Sequence, residues 1–425
     1  MKNRNELQEE ITSTAITALE TNHRATIKVG TGVGKGKIML DVLAHFNPDK
    51  ITWLVDSQDG RDRTDPEEFI KWGYEYLLEK TTFACYDTAR TWKGKDLGFL
   101  IGNEADYSMT DVRKGVYLNN KADKIFLATA TISEEKQELF DLIAPVVYEL
   151  TTQDAQDMGI LNKTKFIFID YLLSEEKNVL MKTKTKQWYT SEQEQYTYWD
   201  NQWTANLIAY LGYKKRIEDH YANPNNVGYW PEYAGLKSKR NAAAAKMKYA
   251  RNQRANILYN LTTSREIAKG KIREILDIDS NNKVIVFSNF TTQIDAICKY
   301  THHSNNNHPE YLDKLDNGDI RCVGVVGKIN RGKNLKGVNH FVFIDYDGSA
   351  TKGSQRTGRA TRLNKDDEAT LWILRPYFKK KVKVKTEEGI KEEVKIYPTR
   401  AVGWAESMLS DFSINESNSE IIKLF

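Results

Sequence analysis

The stretch Val29-Gly-Thr-Gly-Val-Gly-Lys-Gly36 constrains this chain more than any other. It follows an apolar run, residues 25–29, that reads as a strand, and it precedes a helical pattern that continues to Phe46. A strand, a glycine-rich turn and a helix in that order make a cradle for phosphate. Backbone amides close on the anion, the helix N-terminus favours it, and a lysine adds a point charge. Gly30, Thr31, Gly32, Gly34, Lys35 and Gly36 are therefore the expected phosphate-binding residues, with Lys35 on the β and γ groups. The same turn also occurs without a ligand, as a plain strand–helix connection. Two positions depart from the usual loop pattern. Val29 stands where its first glycine belongs, and Gly36 replaces the serine or threonine whose hydroxyl ordinarily ligates magnesium.

Further strand-like runs follow at residues 51–55, 82–85, 97–101 and 124–128. Continuous apolar runs of this length fit a parallel sheet covered by helices on both faces, so an α/β domain is expected over residues 1–160. From 161 to 280 the chain turns helical, basic and aromatic after one strand-like run at 166–171. Thr263-Ser-Arg-Glu266 has the spacing of a capping box. Strand texture resumes at 283–287, 320–326, 340–345 and 370–374, which predicts a second α/β domain over 281–378. Beyond it, period-two alternation around Gly389 predicts a charged hairpin within a tail, 379–425. A length of 425 residues is more than one core usually organises, which agrees with two or three domains.

Composition narrows the class without naming a partner. Hydrophobic residues at 40% and charged residues at 28% describe a globular chain, and a net charge of +4 neither requires nor forbids nucleic acid. The three cysteines, Cys85, Cys298 and Cys322, form no CxxC pair, which excludes a zinc ribbon or disulfide framework. No apolar run is long enough for a membrane span, and the N-terminus leads into a helix pattern rather than a signal peptide. A soluble, cytoplasmic protein with no membrane partner is the expectation.

Two more segments carry chemistry. Phe99-Leu-Ile-Gly-Asn-Glu-Ala-Asp106 is a strand that ends in acids, the place where a nucleotide-hydrolysing sheet holds magnesium and orients water. Glu104 is the candidate base there, and Asn103 with Glu104 the candidate metal position. Asn103 stands where an aspartate is expected and brings no charge. The blander reading of the segment is a loop cap. In Gly353-Ser-Gln-Arg-Thr-Gly-Arg-Ala-Thr-Arg362, Arg356, Arg359 and Arg362 recur every third residue and share a helix face. Like charges so placed repel one another, and a triphosphate is the anion that would relieve them.

In this order the motifs resemble those of superfamily 2 helicases. Residues 30–35 are similar to motif I, 103–106 to the DEAD/DEAH box, and Thr129-Ala-Thr131 to motif III. Residues 284–288 are similar to motif IV, 326–334 to motif V, and 355–362 to motif VI, QRxGRxxR. The resemblance covers 4–160 and 281–376. It implies two RecA-like P-loop NTPase domains with parallel sheets, plus a helical insertion. It implies an ATP-dependent helicase or translocase that uses ATP and Mg2+ on nucleic acid, DNA more than RNA. Lys35 would meet the phosphates and Glu104 the attacking water. Gln355, Arg359 and Arg362 would reach the γ-phosphate, Gln8 the adenine and Arg331 the nucleic acid. A narrower resemblance, to phage-encoded helicases of the UvsW-like group, implies replication or recombination proteins as further partners. Gly36, Asn103 and Asn334 depart from the family pattern. The first two implicate a water-held magnesium, or a clamp or assembly factor with a weakened ATPase site. Exchanging Asn103 for Asp together with Gly36 for Thr is expected to lower the magnesium requirement.

The middle segment adds a second candidate surface. Trp188, Tyr189, Tyr196, Tyr198, Trp199, Trp203, Tyr210 and Tyr213 precede a basic run that includes Lys246, Arg251 and Arg254. The aromatics suit either the core of a helical subdomain or stacking on bases, and the cations suit a phosphate backbone.

Overall fold

Six strands in the first part of the chain pair into one sheet. They are β1 (Arg24–Val29), β2 (Ile51–Val55), β3 (Thr81–Cys85), β4 (Phe99–Asn103), β5 (Lys124–Thr129) and β6 (Val146–Leu150). Their spatial order is β3-β2-β4-β5-β1-β6, and every pair is parallel. The computed structural model describes residues 3–58, 60–182, 185–222, 230–326, 337–346, 368–386, 389–409, 412 and 414–425. Helices α1 (Arg4–Asn22) and α2 (Lys35–Phe46) pack Leu7, Ile11, Ile38 and Leu43 on one face of the sheet with Ile27 and Phe126. Phe140 and Ile143 cover Leu100 and Leu127 on the other. Burial on both faces is why β2 and β5 read as unbroken apolar runs. Strand β6 escaped sequence reading because it lies at the sheet edge and is mostly half-buried. The order brings the carboxyl ends of β1, β5 and β4 side by side, where ligands of such sheets bind. A short helix, α3 (Asp65–Lys71), follows β2.

The second sheet is larger than the predicted boundaries allow. Its strands are β7 (Thr164–Leu172), β10 (Val284–Ser288), β11 (Thr301–His302), β12 (Cys322–Val326), β13 (His340–Phe343), β14 (Ala369–Thr386), β15 (Gly389–Pro398) and β16 (Ser419–Lys423). They run β11-β12-β10-β13-β14-β7-β16, with β15 antiparallel on β14. The predicted cuts at 280/281 and 378/379 therefore run through this sheet, the first separating β7 from its neighbours and the second falling within β14. Strand β7 buries Phe166, Phe168 and Ile169 and needs neighbours on both sides, which β14 and β16 supply. The predicted hairpin forms, with Thr386 opposite Gly389. A separate two-stranded ribbon pairs β8 (Val179–Lys182) with β9 (Gln187–Thr190).

Between these strands stand α4 (Glu192–Ala222), α5 (Trp230–Leu258) and α6 (Thr262–Ile278). Helix α6 buries Ala268, Ile272 and Ile275 against the second sheet, as their spacing predicts. Its predicted capping box is absent. Glu192 reaches across instead: one carboxylate oxygen accepts from the amides of Thr262 and Thr263 at 2.6 and 3.1 Å. A side chain from another helix thus satisfies the orphan donors, and local spacing cannot reveal it. Asp170 on β7 and Arg375 on β14 form a forked pair, Nε to Oδ1 at 2.6 Å and Nη2 to Oδ2 at 2.9 Å. Their side chains are only 5% and 11% exposed, and the guanidinium lies over the Phe168 ring. Arg375→Met would strand a buried carboxylate, so it is expected to lower the unfolding free energy by about 3–5 kcal/mol. Denaturant unfolding measures this. A loss below about 1 kcal/mol would make the pair equivalent to an exposed one.

Candidate functional site

The loop after β1 is held open by close packing. The Gly30 amide donates to the Leu150 carbonyl at 2.9 Å, so it is committed to the end of β6 rather than free for an anion. A Cβ at Gly30 would lie 2.8 Å from the Thr152 backbone nitrogen, which bars any side chain there. Gly34 has φ 111°, and a Cβ on it would run into the Gln8 amide. Gln8, buried on α1, donates from Nε2 to the Val33 carbonyl at 2.7 Å. The residue expected at adenine thus spends its donor on the loop itself.

Three features of the loop fit a bound phosphate. Helix α2 begins at Lys35 with no side-chain cap, so its first-turn amides keep no intrahelical partner. Lys35 is buried although charged. Its Nζ donates to the Val29 carbonyl at 3.2 Å and stands 3.9 Å from Glu104 Oε1. Thr31 Oγ1 is buried and has no hydrogen-bond partner among the described residues. Each would otherwise cost free energy, and an anion offers partners to all of them. Gly32, with φ 103°, completes the turn. A Cβ at Gly36 would lie 3.3 Å from Glu68 Oε2 on α3, so a carboxylate occupies the flank where a hydroxyl side chain would stand.

Glu104 follows β4 with φ 53° and ψ 51°, a left-handed conformation rare for a side chain with a Cβ. Such strain costs roughly 1–3 kcal/mol and gathers at functional sites. Here it coincides with the approach of Glu104 to Lys35. Asn103 donates from Nδ2 to Asp65 Oδ2 at 2.8 Å, and the same oxygen accepts from Trp53 Nε1 at 2.7 Å. The Tyr86 hydroxyl donates to the Asn103 carbonyl at 3.1 Å, and burial raises its pKa well above the ordinary tyrosine value. Asp106 is buried and linked to the third motif: Thr129 Oγ1 donates to its Oδ1 at 3.2 Å. Lys136 donates to its backbone carbonyl at 2.7 Å. Among the described residues no group of three histidine, cysteine, aspartate or glutamate side chains is placed to hold a metal ion. Asp65 and Trp53 went unnoticed in the sequence. Thr64-Asp-Pro-Glu-Glu68 reads as an ordinary acidic helix start, and only the fold brings it to Asn103.

The helical insertion is an antiparallel pair. Arg254 near the end of α5 meets Asp200 near the start of α4, and Tyr233 meets Tyr221 at the opposite end with ring centroids 5.1 Å apart. Of the predicted phosphate contacts, Lys246 and Arg251 are exposed. Arg254 is not available: it is buried, donates to Asp200 Oδ1 at 2.6 Å, and stacks on Trp203 with its guanidinium 4.4 Å from the ring centre. Its charge locks the two helices together. Tyr196 is core, edge-on to Phe378, whereas Trp188, Tyr189, Tyr198 and Tyr249 are exposed. Trp199, Gln202, Lys246 and Tyr249 line an open cleft of about 340 Å³.

At the second sheet, Ser288 Oγ and the Asn289 amide donate to Asp345 at 2.6 and 2.7 Å, joining the ends of β10 and β13. Gln355, Arg356, Arg359, Arg362, Arg331 and Asn334 lie outside the described residues.

Residues 268–364 match the family model of the helicase conserved C-terminal domain. No curated protein sequence matches the chain. Among solved structures, the ATP-dependent Type ISP restriction-modification enzyme LlaBIII bound to DNA is similar over 98% of this chain, at 11% identity and a TM-score of 0.57. The chain spans 31% of that protein's length. The Pyrococcus furiosus Hef helicase domain is 16% identical over 87% of this chain and 95% of that one, with a TM-score of 0.46. The Sulfolobus solfataricus SWI2/SNF2 ATPase core in complex with dsDNA is 13% identical over 87% of each chain, with a TM-score of 0.34. The two largely parallel sheets and the LlaBIII likeness define the fold class, α/β with two RecA-like domains, and the family match falls within the second. Among the described residues no helix is long and apolar enough to cross a membrane.

Since Arg254 braces the helix pair, Arg254→Gln is expected to lower stability by about 1.5–3 kcal/mol, the worth of a charged hydrogen bond. Thermal or denaturant unfolding measures it, and unchanged stability would return Arg254 to solvent.

Proposed function

We propose that this chain is an ATP-dependent nucleic-acid helicase or translocase that works on DNA in the cytoplasm. The observation that carries the reading is the buried Lys35 ammonium at the uncapped start of α2, faced by Glu104 in a strained conformation. In this reading the amides of Gly32, Gly34 and Gly36, the Thr31 hydroxyl and Lys35 hold the phosphates of ATP. Asn103 and Glu104 are the residues that would hold the Mg2+, which when bound would neutralise phosphate charge. Glu104 orients the attacking water and takes its proton. Gln355, Arg359 and Arg362 from the second domain stabilise the charge on the transferring γ-phosphate. Lys246 and Arg251 track a nucleic-acid backbone beside the Trp199–Tyr249 cleft, and Arg331 adds a contact from the second domain. The DNA in the LlaBIII structure supports DNA over RNA as the partner. A role in phage replication, recombination or repair belongs to the same proposal.

A second reading is a nucleic-acid clamp or assembly factor with a weakened ATPase, favoured by Gly36 and Asn103. ATP hydrolysis measured alone and with single-stranded or duplex DNA or RNA separates the two. The helicase reading expects hydrolysis stimulated by DNA. It also expects Arg359→Ala to keep ATP binding and to lose roughly 10³–10⁵ in turnover. Nucleic-acid binding with no hydrolysis under any condition would establish the clamp. Unchanged turnover in Arg359→Ala would remove that arginine from the site.

A further inference from the structure

Helix α3 brings a carboxylate to each of the two positions where the phosphate site lacks its usual metal-holding group. Asp65 accepts from Asn103, and Glu68 stands where a side chain on Gly36 would point. Glu68 already accepts from Trp72 Nε1 at 2.6 Å and Lys71 Nζ at 3.0 Å. Asp65 is different in kind: it is buried, and it touches the motif residue itself.

We infer that Asp65 is a positioning residue for the nucleotide site. It fixes the Asn103 amide with the NH2 arm turned to α3 and the carbonyl arm turned away, so that the pair replaces the lone aspartate of related sites. The inference rests on the nucleotide-binding reading above. An asparagine amide offers a donor arm and an acceptor arm, and nothing in its own shape prefers either orientation. A carboxylate beside it accepts only, so it selects the donor arm. Asp65 cannot turn away cheaply, because the oxygen that accepts from Asn103 also accepts from the indole of Trp53, which is itself buried. The amide oxygen is then the free arm of a residue next to Glu104, whose carboxylate stands 3.9 Å from Lys35. A cation on the phosphates would meet oxygen there, not N–H. The negative charge that position 103 lacks is retained one layer further in, on Asp65.

This reverses the expectation drawn from the motif alone. In Asn103→Asp a carboxylate oxygen would replace the nitrogen now 2.8 Å from Asp65 Oδ2. Two carboxylates at that distance, one buried and one half-buried, cannot both stay ionised in place. The change would create a repulsion rather than restore a ligand. Asp65→Asn alone would free the amide to present its NH2 to the cation. Exchanging both, Asp65→Asn with Asn103→Asp, would again leave one carboxylate and one amide in contact.

The experiment compares the full chain with the two single variants and the double exchange. A fluorescent ATP analogue is titrated at fixed protein over a range of magnesium, and thermal unfolding is followed in parallel. Each single variant is expected to weaken magnesium-dependent nucleotide binding by roughly 10–100-fold, the usual effect of losing a group that orients a metal ligand. The double exchange is expected to recover most of that loss, and with it the unfolding temperature. Recovery of the unfolding temperature without recovery of magnesium dependence would make the pair purely structural and overturn the inference. So would Asn103→Asp binding as well as the native protein or better. A native protein that binds no nucleotide at any magnesium concentration would overturn the nucleotide reading first, and the positioning role with it.

Discussion

A lysine ammonium buried at the start of α2 is the constraint on which the first domain depends. Burying a charge is tolerated only where partners compensate it. The compensation comes from the Val29 carbonyl and, further off, from Glu104. Both partners are set by the sheet: Val29 ends β1, and Glu104 follows β4. Strand β5 lies between those two strands, so strand order alone sets the separation that Lys35 bridges. The glycines of the loop let the chain pass within contact of Thr152 and Gln8 while the helix N-terminus stays open. Fold and candidate site are thus one arrangement.

The parts that were legible in the sequence are those where a local pattern has one physical outcome. Apolar runs became central parallel strands, and the Gly-rich turn became a strand–helix junction with positive φ at Gly32 and Gly34. The parts that were not legible depend on partners distant in the chain. Strand β6 is an edge strand without a strong apolar run. Strands β7 and β16 join a sheet whose other members lie more than a hundred residues away from β7. Glu192 displaces the capping box of α6 by reaching in from α4. Arg254 sits in a basic run yet faces inward, because helical phase puts it opposite Asp200 and Trp203 while Lys246 and Arg251 stay outside. Charge patterning reports composition along a helix; phase and neighbours decide which charges reach solvent.

The departures at Gly36 and Asn103 take on a different meaning beside α3. Read along the chain, they are two missing groups at one ion. In three dimensions each is matched by an acid from the same short helix, and Asn103 is bonded to its acid directly. A motif residue is defined by what surrounds it, and an amide held by a carboxylate is not equivalent to a solvated amide.

The central claim, that the loop between β1 and α2 holds a nucleotide through Lys35, is tested most directly by equilibrium binding of ATP to the native protein and to Lys35→Ala. The account predicts that the native chain binds ATP and that the substitution costs about 1.5–3 kcal/mol, roughly a ten- to hundredfold loss of affinity, without unfolding the domain. Equal affinity in the two proteins, or no binding by either, would contradict it.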